Sequence, residues 1–263
     1  MSKYGSEAKI LAGGQSLVPI LNMRLASPAH IVDINHLRDE DEEPRDHEDA
    51  IVFGPLVRQQ VVERSEIAAE KVPLLTEAIK HVAHAAIRNR GTVVGSIAHA
   101  DPAAELPAVL VAIEGTVLAR RSGGRREIPA HEFFAGPLEN SLSDDEWAEG
   151  VRWPARQEGE GFAFAEFARR SGDYALCGVA AAVRGSSSTL TLAYLGMGDI
   201  PVALAADVES DGDVEDAVGE LTASLDAAGD IHATPRYRSW LARKLGLKAA
   251  RAAFANAGGG DQR

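Results

Sequence analysis

Apolar and polar positions along the first part of the chain spell a short strand, a glycine loop and a helix. Residues 9–12 read as the strand, Gly13-Gly14-Gln15-Ser16 as the loop, and residues 17–25 as a helix that tolerates Pro19 in its first turn. A second β-type run, His-Ile-Val-Asp-Ile, occupies residues 30–34. Further on, Leu74, Leu75, Ala78, Ile79, Val82, Ala83, Ala86 and Ile87 share one helical stripe behind Pro73, which predicts a helix over residues 73–87. Asp101-Pro102 predicts an N-cap with a first-turn proline, and Pro107 restarts the helix. Two short helical pieces then precede a β-type run at residues 116–119.

The pattern changes near Pro154. Apolar runs at residues 162–168, 177–183 and 189–195 predict a small sheet. Two helices follow, one over residues 214–225 and a longer one capped by Thr234 with Pro235 in its first turn. The whole reads as an α/β part followed by an α+β part with a boundary near residue 156. The Gly258-Gly259-Gly260 end is expected to fray, leaving residues 259–263 as a disordered tail.

Composition narrows the function. The chain has 263 residues, and no run of about 20 apolar residues could cross a bilayer. The opening residues carry no apolar stretch like a secretory signal, so the expected compartment is the cytoplasm. A net charge of −12, from 39 acidic and 27 basic residues, opposes phosphate-backbone binding and makes nucleic acid an unsuitable ligand. Much of the acid sits in residues 39–49, which are expected to form a solvated loop. A single cysteine, Cys177, excludes a disulfide framework and cannot supply the thiolates of an iron–sulfur cluster. Its apolar neighbours favour a buried, inert thiol over a redox role.

Two segments suit anion chemistry. The Gly13-Gly14-Gln15-Ser16 loop is open to two readings: an ordinary tight turn, or a site whose glycines let backbone N–H groups approach a phosphate ahead of a helix. Thr92-Val93-Val94-Gly95-Ser96, after the basic Arg88-Asn89-Arg90-Gly91, has the same character. Together they would grip the two ends of a diphosphate without a broad basic surface. No Gly-x-Ser-x-Gly elbow, Walker lysine loop or Gly-x-Gly-x-x-Gly fingerprint is present, which weakens hydrolase, nucleoside-triphosphatase and Rossmann readings. His81 and His84 lie three apart, but no companion at metal-site spacing accompanies them, so a packing or surface role is expected.

The segments at residues 10–35 (ILAGGQSLVPILNMRLASPAHIVDIN) and 87–113 (IRNRGTVVGSIAHADPAAELPAVLVAI) resemble the two FAD loops of the medium subunits of molybdenum hydroxylases, the carbon monoxide dehydrogenase and xanthine dehydrogenase family. Phe133-Phe134-Ala135-Gly136-Pro137, Arg169-Arg170-Ser171-Gly172-Asp173-Tyr174-Ala175 and residues 231–238 continue the resemblance in order over nearly the whole chain. It implies an α+β fold: a two-subdomain FAD-binding domain of the vanillyl-alcohol oxidase and p-cresol methylhydroxylase type over residues 1–156, with subdomains of about 1–37 and 38–156. A small CO dehydrogenase flavoprotein C-terminal domain would cover residues 157–258.

By the same resemblance, Ala12, Gly13, Gly14, Gln15 and Ser16 would contact the FAD diphosphate, and Thr92, Gly95 and Ser96 would close over it. Glu105 takes the acidic position that the family turns toward the flavin nucleotide, and Tyr174 is either near the isoalloxazine ring or a packing residue. Catalytic residues and metal ligands of its own are not expected on this chain. A large molybdopterin subunit and a small [2Fe–2S] subunit are the implied partners, in a heterotrimer that dimerises. The chain would take electrons from the [2Fe–2S] subunit and pass them to quinone, NAD or oxygen.

Three departures from the family are visible. A strand and helix normally precede the first glycine loop; either the start is misplaced or the chain is truncated, and truncation would expose apolar surface and weaken flavin binding. Val94 replaces the first glycine of a Gly-Gly pair, which predicts a strained or reshaped loop if that position needs positive φ. Residues 147–150 are more polar than the family's strand. The alternative reading is therefore a flavin-free subunit that serves assembly and interaction only.

Overall fold

The computed structural model describes residues 1–37, 43–185, 188–208 and 211–258. Of the acidic loop expected over residues 39–49, residues 39–42 lie outside the described residues, as does the predicted tail at 259–263, and Arg45–Asp46 form a short strand.

The N-terminal unit is small. β1 (Ala8–Leu11) runs into the glycine loop, α1 (Leu17–Asn22) follows, and β2 (His30–Asp33) returns parallel to β1, with Leu11 opposite Asp33. Val18, Met23, Leu25, Ile31 and Leu37 remain exposed around it. The next unit is built on a five-stranded antiparallel sheet. Its strands are β3 (Arg45–Asp46), β4 (Ala50–Phe53), β5 (Thr116–Arg121), β6 (Gly124–Pro129) and a long central strand at Trp147–Pro154, in the order β3, β4, central strand, β5, β6.

Short helices cover this sheet: α2 (Gln59–Glu63), α3 (Glu66–Lys71), α4 (Pro73–Ala78), α5 (Ala85–Arg88), α6 (Val93–His99) and α7 (Glu105–Ala112). Ile51, Phe53, Val117, Val151 and Trp153 of the sheet meet Leu74, Leu75, Ile97, Leu106 and Leu110 of the helices in one core. A one-turn helix α8 (Ala130–Phe133) and the small hairpin of β7 (Phe134–Gly136) and β8 (Glu139–Asn140) lead into the central strand, β9. The polar start of β9 is explained by its partners: Glu149 pairs with Arg120 at 3.2 Å and Arg125 at 2.7 Å.

The C-terminal part is an antiparallel meander of β10 (Gly161–Phe167), β11 (Cys177–Arg184), β12 (Thr189–Leu195) and β13 (Val202–Asp207), followed by α9 (Val214–Ala223) and α10 (Pro235–Gly258). Strand alternation sends the two faces into different cores. Phe162, Phe164, Ala180, Ala182, Ala193 and Leu195 join the core of the N-terminal sheet. Ala163, Ala165, Val179, Ala181, Leu192 and Tyr194 pack under α10 and α9. The meander is therefore covered on both faces, and α7, lying between the two sheets, buries all eight of its residues.

Several expectations are corrected. The helix expected over residues 73–87 is two helices, separated by a turn and bend over residues 79–83 with Ala83 at φ +43°. Asp101 caps a turn, its Oδ1 accepting from the Ala103 amide at 2.9 Å, and not a helix. One helix, α7, follows, with Pro107 inside its first turn, where the missing N–H costs nothing. The hairpin of β5 and β6 extends beyond the run expected at 116–119. The exposed edge strand β13 was not anticipated, because its alternation of small residues carries little apolar signal. Thr234 does cap α10, accepting from the Tyr237 amide at 3.3 Å.

The seat of α10 depends on Gly161. A Cβ there would collide with the Ala253 carbonyl and lie 2.8 Å from the Ala257 Cβ. Gly161→Val is expected to cost about 1–3 kcal/mol through overpacking and to lower the thermal midpoint by several degrees. Differential scanning calorimetry of the variant checks this; an unchanged midpoint contradicts the packing described.

Candidate functional site

Parallel pairing of β1 and β2 brings the glycine loop and the chain after β2 to the same strand ends, where ligands of such units sit. Asn35, just past β2, donates through Nδ2 to the Ala12 carbonyl at 2.9 Å and the Leu11 carbonyl at 3.4 Å. Its Oδ1 accepts from Arg58 at 2.8 Å, and Arg58 also donates to the Arg90 carbonyl at 2.6 Å. The Gln59 amide donates to the Gly91 carbonyl at 2.9 Å and the Val93 amide to the Val57 carbonyl at 3.1 Å, so the segment entering α6 is strapped to residues 57–59. One network thus spans both loops.

The loops also touch directly. A Cβ on Gly13 would collide with the Arg90 carbonyl and fall 2.8 Å from the Gly91 Cα. Gly14 holds φ at +73°, which an L side chain resists. Gln15 turns inward, its Nε2 donating to the Gly13 carbonyl at 2.9 Å, and so stiffens the turn. The amides of residues 12–16 donate to no acceptor among the described residues. Such a row of N–H groups without an internal acceptor matches the donor set that a diphosphate requires. The residues present fit the phosphates of a dinucleotide.

The second segment contributes differently from the expectation. Thr92 caps α6, its Oγ1 accepting from the Gly95 amide at 3.0 Å, and the Ser96 amide is spent on the Thr92 carbonyl at 3.1 Å. What remains is the Val94 amide together with the hydroxyls of Thr92 and Ser96. Val94 itself is helical and its side chain is buried in the core, so the strain expected there is absent. The tight spot is Ala100 at φ +54°, which ends α6.

Glu105 and Tyr174 belong to a second group, on the flank formed by residues 101–105 and the loop between β10 and β11. That loop lies against the N-terminal half, since a Cβ on Gly172 would collide with the His84 ring. The Gly196 amide donates to the Pro102 carbonyl at 2.9 Å, and His81 Nδ1 meets Glu166 Oε1 at 3.2 Å. Glu105 is 8 % exposed. Burial pushes its carboxyl up to about 7, its own amide opposes this, and the Glu166 and Asp101 carboxylates add to it against His81. Hydrogen bonding to Glu166 raises the His81 pKa. Tyr174 leaves 72 % of its surface open and lines a concave pocket with Arg169, Gly172, Asp173, Leu176 and His232. Cys177 is fully buried and its thiol is pushed up to about 12, which removes it from redox chemistry at neutral pH.

Asn35 and Arg58 are the members of the site that motif reading missed. Asn35 closes the first matched segment, but nothing in the letters links it to Arg58, which folding alone brings there. Among the described residues no group of three or more histidine, cysteine, aspartate or glutamate side chains forms a metal site.

The raised Glu105 carboxyl has a pH signature. A folded pKa above the unfolded one contributes stability that is complete below about pH 4.5 and is lost as pH rises through 7. The stability of Glu105→Gln relative to the parent is therefore expected to grow between pH 5 and pH 8, by on the order of 3 kcal/mol at most. Urea unfolding of both proteins at the two pH values checks it, and a difference that does not change with pH contradicts the burial described.

Residues 1–156 match the family model of the FAD-binding domain in molybdopterin dehydrogenase, and residues 162–253 match that of the CO dehydrogenase flavoprotein C-terminal domain. The chain is 38 % identical to the nicotine 6-hydroxylase medium subunit of Paenarthrobacter nicotinovorans over 251 residues, covering 91 % of this chain and 87 % of that one. It is 37 % identical to the carbon monoxide dehydrogenase medium chain of Hydrogenophaga pseudoflava, covering 73 % and 66 %. The solved carbon monoxide dehydrogenase of Hydrogenophaga pseudoflava, in a form lacking the Mo-pyranopterin moiety of the molybdenum cofactor, superposes with a TM-score of 0.90 at 32 % identity, over 97 % of this chain and 92 % of that one. With both halves matched in order, and with the two loops meeting as a dinucleotide site requires, the chain belongs to the FAD-binding medium subunits of the molybdenum hydroxylases.

Proposed function

We propose that this medium subunit carries electrons through its complex, taking them from a partner with [2Fe–2S] clusters and passing them to an external acceptor: quinone, NAD or oxygen. Substrate hydroxylation would then take place at a molybdopterin centre on a large subunit. The three chains would form a heterotrimer that dimerises, in the cytoplasm, with the FAD-binding domain ending near residue 156. The observation that carries the proposal is the row of amides without internal acceptors at residues 12–16, whose Gly13 lies against Arg90-Gly91.

In this reading Ala12 to Ser16 cradle the diphosphate of FAD. Thr92 and Ser96 add hydroxyls from the other side, and Gly95 fixes the Thr92 cap. Burial raises the Glu105 carboxyl toward neutral pH, so its protonated form would donate to the nucleotide and its carboxylate form would accept from it. Tyr174 would stand at the ring, where an open aromatic edge limits access. Bound FAD supplies the redox chemistry, and the polypeptide supplies position and electrostatics. The flavin-free reading loses one of its two supports, because Val94 is an ordinary helical core residue.

Gly13→Val tests the cradle. The variant is expected to hold FAD at least about tenfold more weakly, since the added methyls force the two loops apart. Flavin absorbance after gel filtration measures this, and full occupancy would sink the loop assignment. Tyr174→Ala is expected to change flavin reoxidation rates while leaving the thermal midpoint within about 2 °C, because the ring is exposed. Unchanged reoxidation would remove Tyr174 from the ring.

A further inference from the structure

α10 departs from the character of the chain. It holds six basic residues and no acidic one in a protein of net charge −12. Its apolar face, with Leu241, Ala242, Ala249, Ala250 and Ala253, is spent on the meander. The opposite side is not the usual solvated face, because Tyr237 and Trp240 stand out at 39 % and 54 % exposure. They stack at 5.8 Å with 14° between ring planes, and Phe167, itself 39 % exposed, meets Tyr237 edge-on at 6.3 Å.

On α10 itself every charged residue is basic. Arg236 and Lys244 lie one turn from Trp240 on either side, Arg243 lies three residues on, and all three are exposed. None of the three makes an ion pair within the described residues. Aromatic side chains ringed by unpaired arginine are the composition of protein interface centres.

We propose that the Phe167, Tyr237 and Trp240 rings with Arg236, Arg243 and Lys244 form the docking face for an acidic surface of another subunit of the hydroxylase complex. Charge selects the occupant. A second copy of this chain would bring like charges together across a two-fold axis, which is unfavourable. A lipid surface of anionic headgroups would meet the −12 charge of the rest of the chain, and the face offers three rings where an interfacial helix needs a full apolar side. An acidic protein surface satisfies both the rings and the cations. The face adjoins the pocket at Tyr174, because the Phe167 carbonyl accepts from the Leu176 amide at 2.8 Å and Leu176 lines that pocket. A subunit docked here would stand beside the ring site of the proposed function. The docking itself rests only on the chain working inside a complex.

The test is made on the complete complex, co-expressed from its own genes, with the parent chain, with Trp240→Ala, and with the combined Arg236→Glu, Arg243→Glu and Lys244→Glu variant. Native mass spectrometry is expected to show a partner subunit held at least about tenfold more weakly by either variant. Parent complexes should lose the same subunit as NaCl is raised. Flavin content and thermal midpoint of the isolated variants should match the parent, which separates a docking failure from a failure of the FAD reading. In the parent complex Trp240 should become shielded from acrylamide quenching.

Intact complexes for both variants, or an equally quenchable Trp240 in free and assembled parent chain, would overturn the proposal. So would loss of flavin along with the partner, Trp240-dependent dimers of the isolated chain, or its Trp240-dependent sedimentation with phosphatidylcholine–phosphatidylglycerol vesicles.

Discussion

The contact on which this structure depends is a main chain against a main chain. Gly13 lies so close to Arg90-Gly91 that no side chain fits between them. Asn35 and Arg58 hold that approach by bonding to carbonyls on both sides of it. The bonds use backbone oxygens as acceptors, and the amides of residues 12–16 donate to no acceptor among the described residues. In the proposed reading, these amides would give an acidic protein a place for a diphosphate without a basic surface. Arg58 serves as a strut in this arrangement through its bonds to Arg90 and Asn35.

The second constraint is burial on both sides of the C-terminal meander. Its small inward residues, Ala180, Ala182 and Ala193, allow α7 and the N-terminal core to approach closely, while the alternate set receives α10. The two halves consequently share a core, and the loop carrying Tyr174 is held against His84 and the turn at Pro102. The raised carboxyl of Glu105 follows from the same packing, since α7 has no solvent-facing side to offer it. Position, burial and proton affinity at this flank are one consequence of sandwiching the sheet.

Much of the fold was legible where local chemistry decided it. The cap at Thr234, the first glycine loop between strand and helix, and the apolar runs of β10, β11 and β12 all follow from period and turn residues. The break after Ala78 was not legible, because the apolar stripe continues past it while Ala83 adopts positive φ. Val94 misled for a related reason: a family glycine position invites a loop reading, whereas here the residue is the second of a helix and its bulk fills the core. The strut of Asn35 and Arg58 joins residues 23 positions apart, and no single-sequence pattern encodes that.

The central claim is that both loops act on one diphosphate at once. Hydrogen exchange of the backbone amides, measured on the apoprotein and after adding FAD, tests it most directly. Slowed exchange across residues 12–16 together with the Val94 amide, rising with the same FAD concentration dependence, is the predicted result. Flavin that binds while either segment exchanges at its free rate would contradict the account.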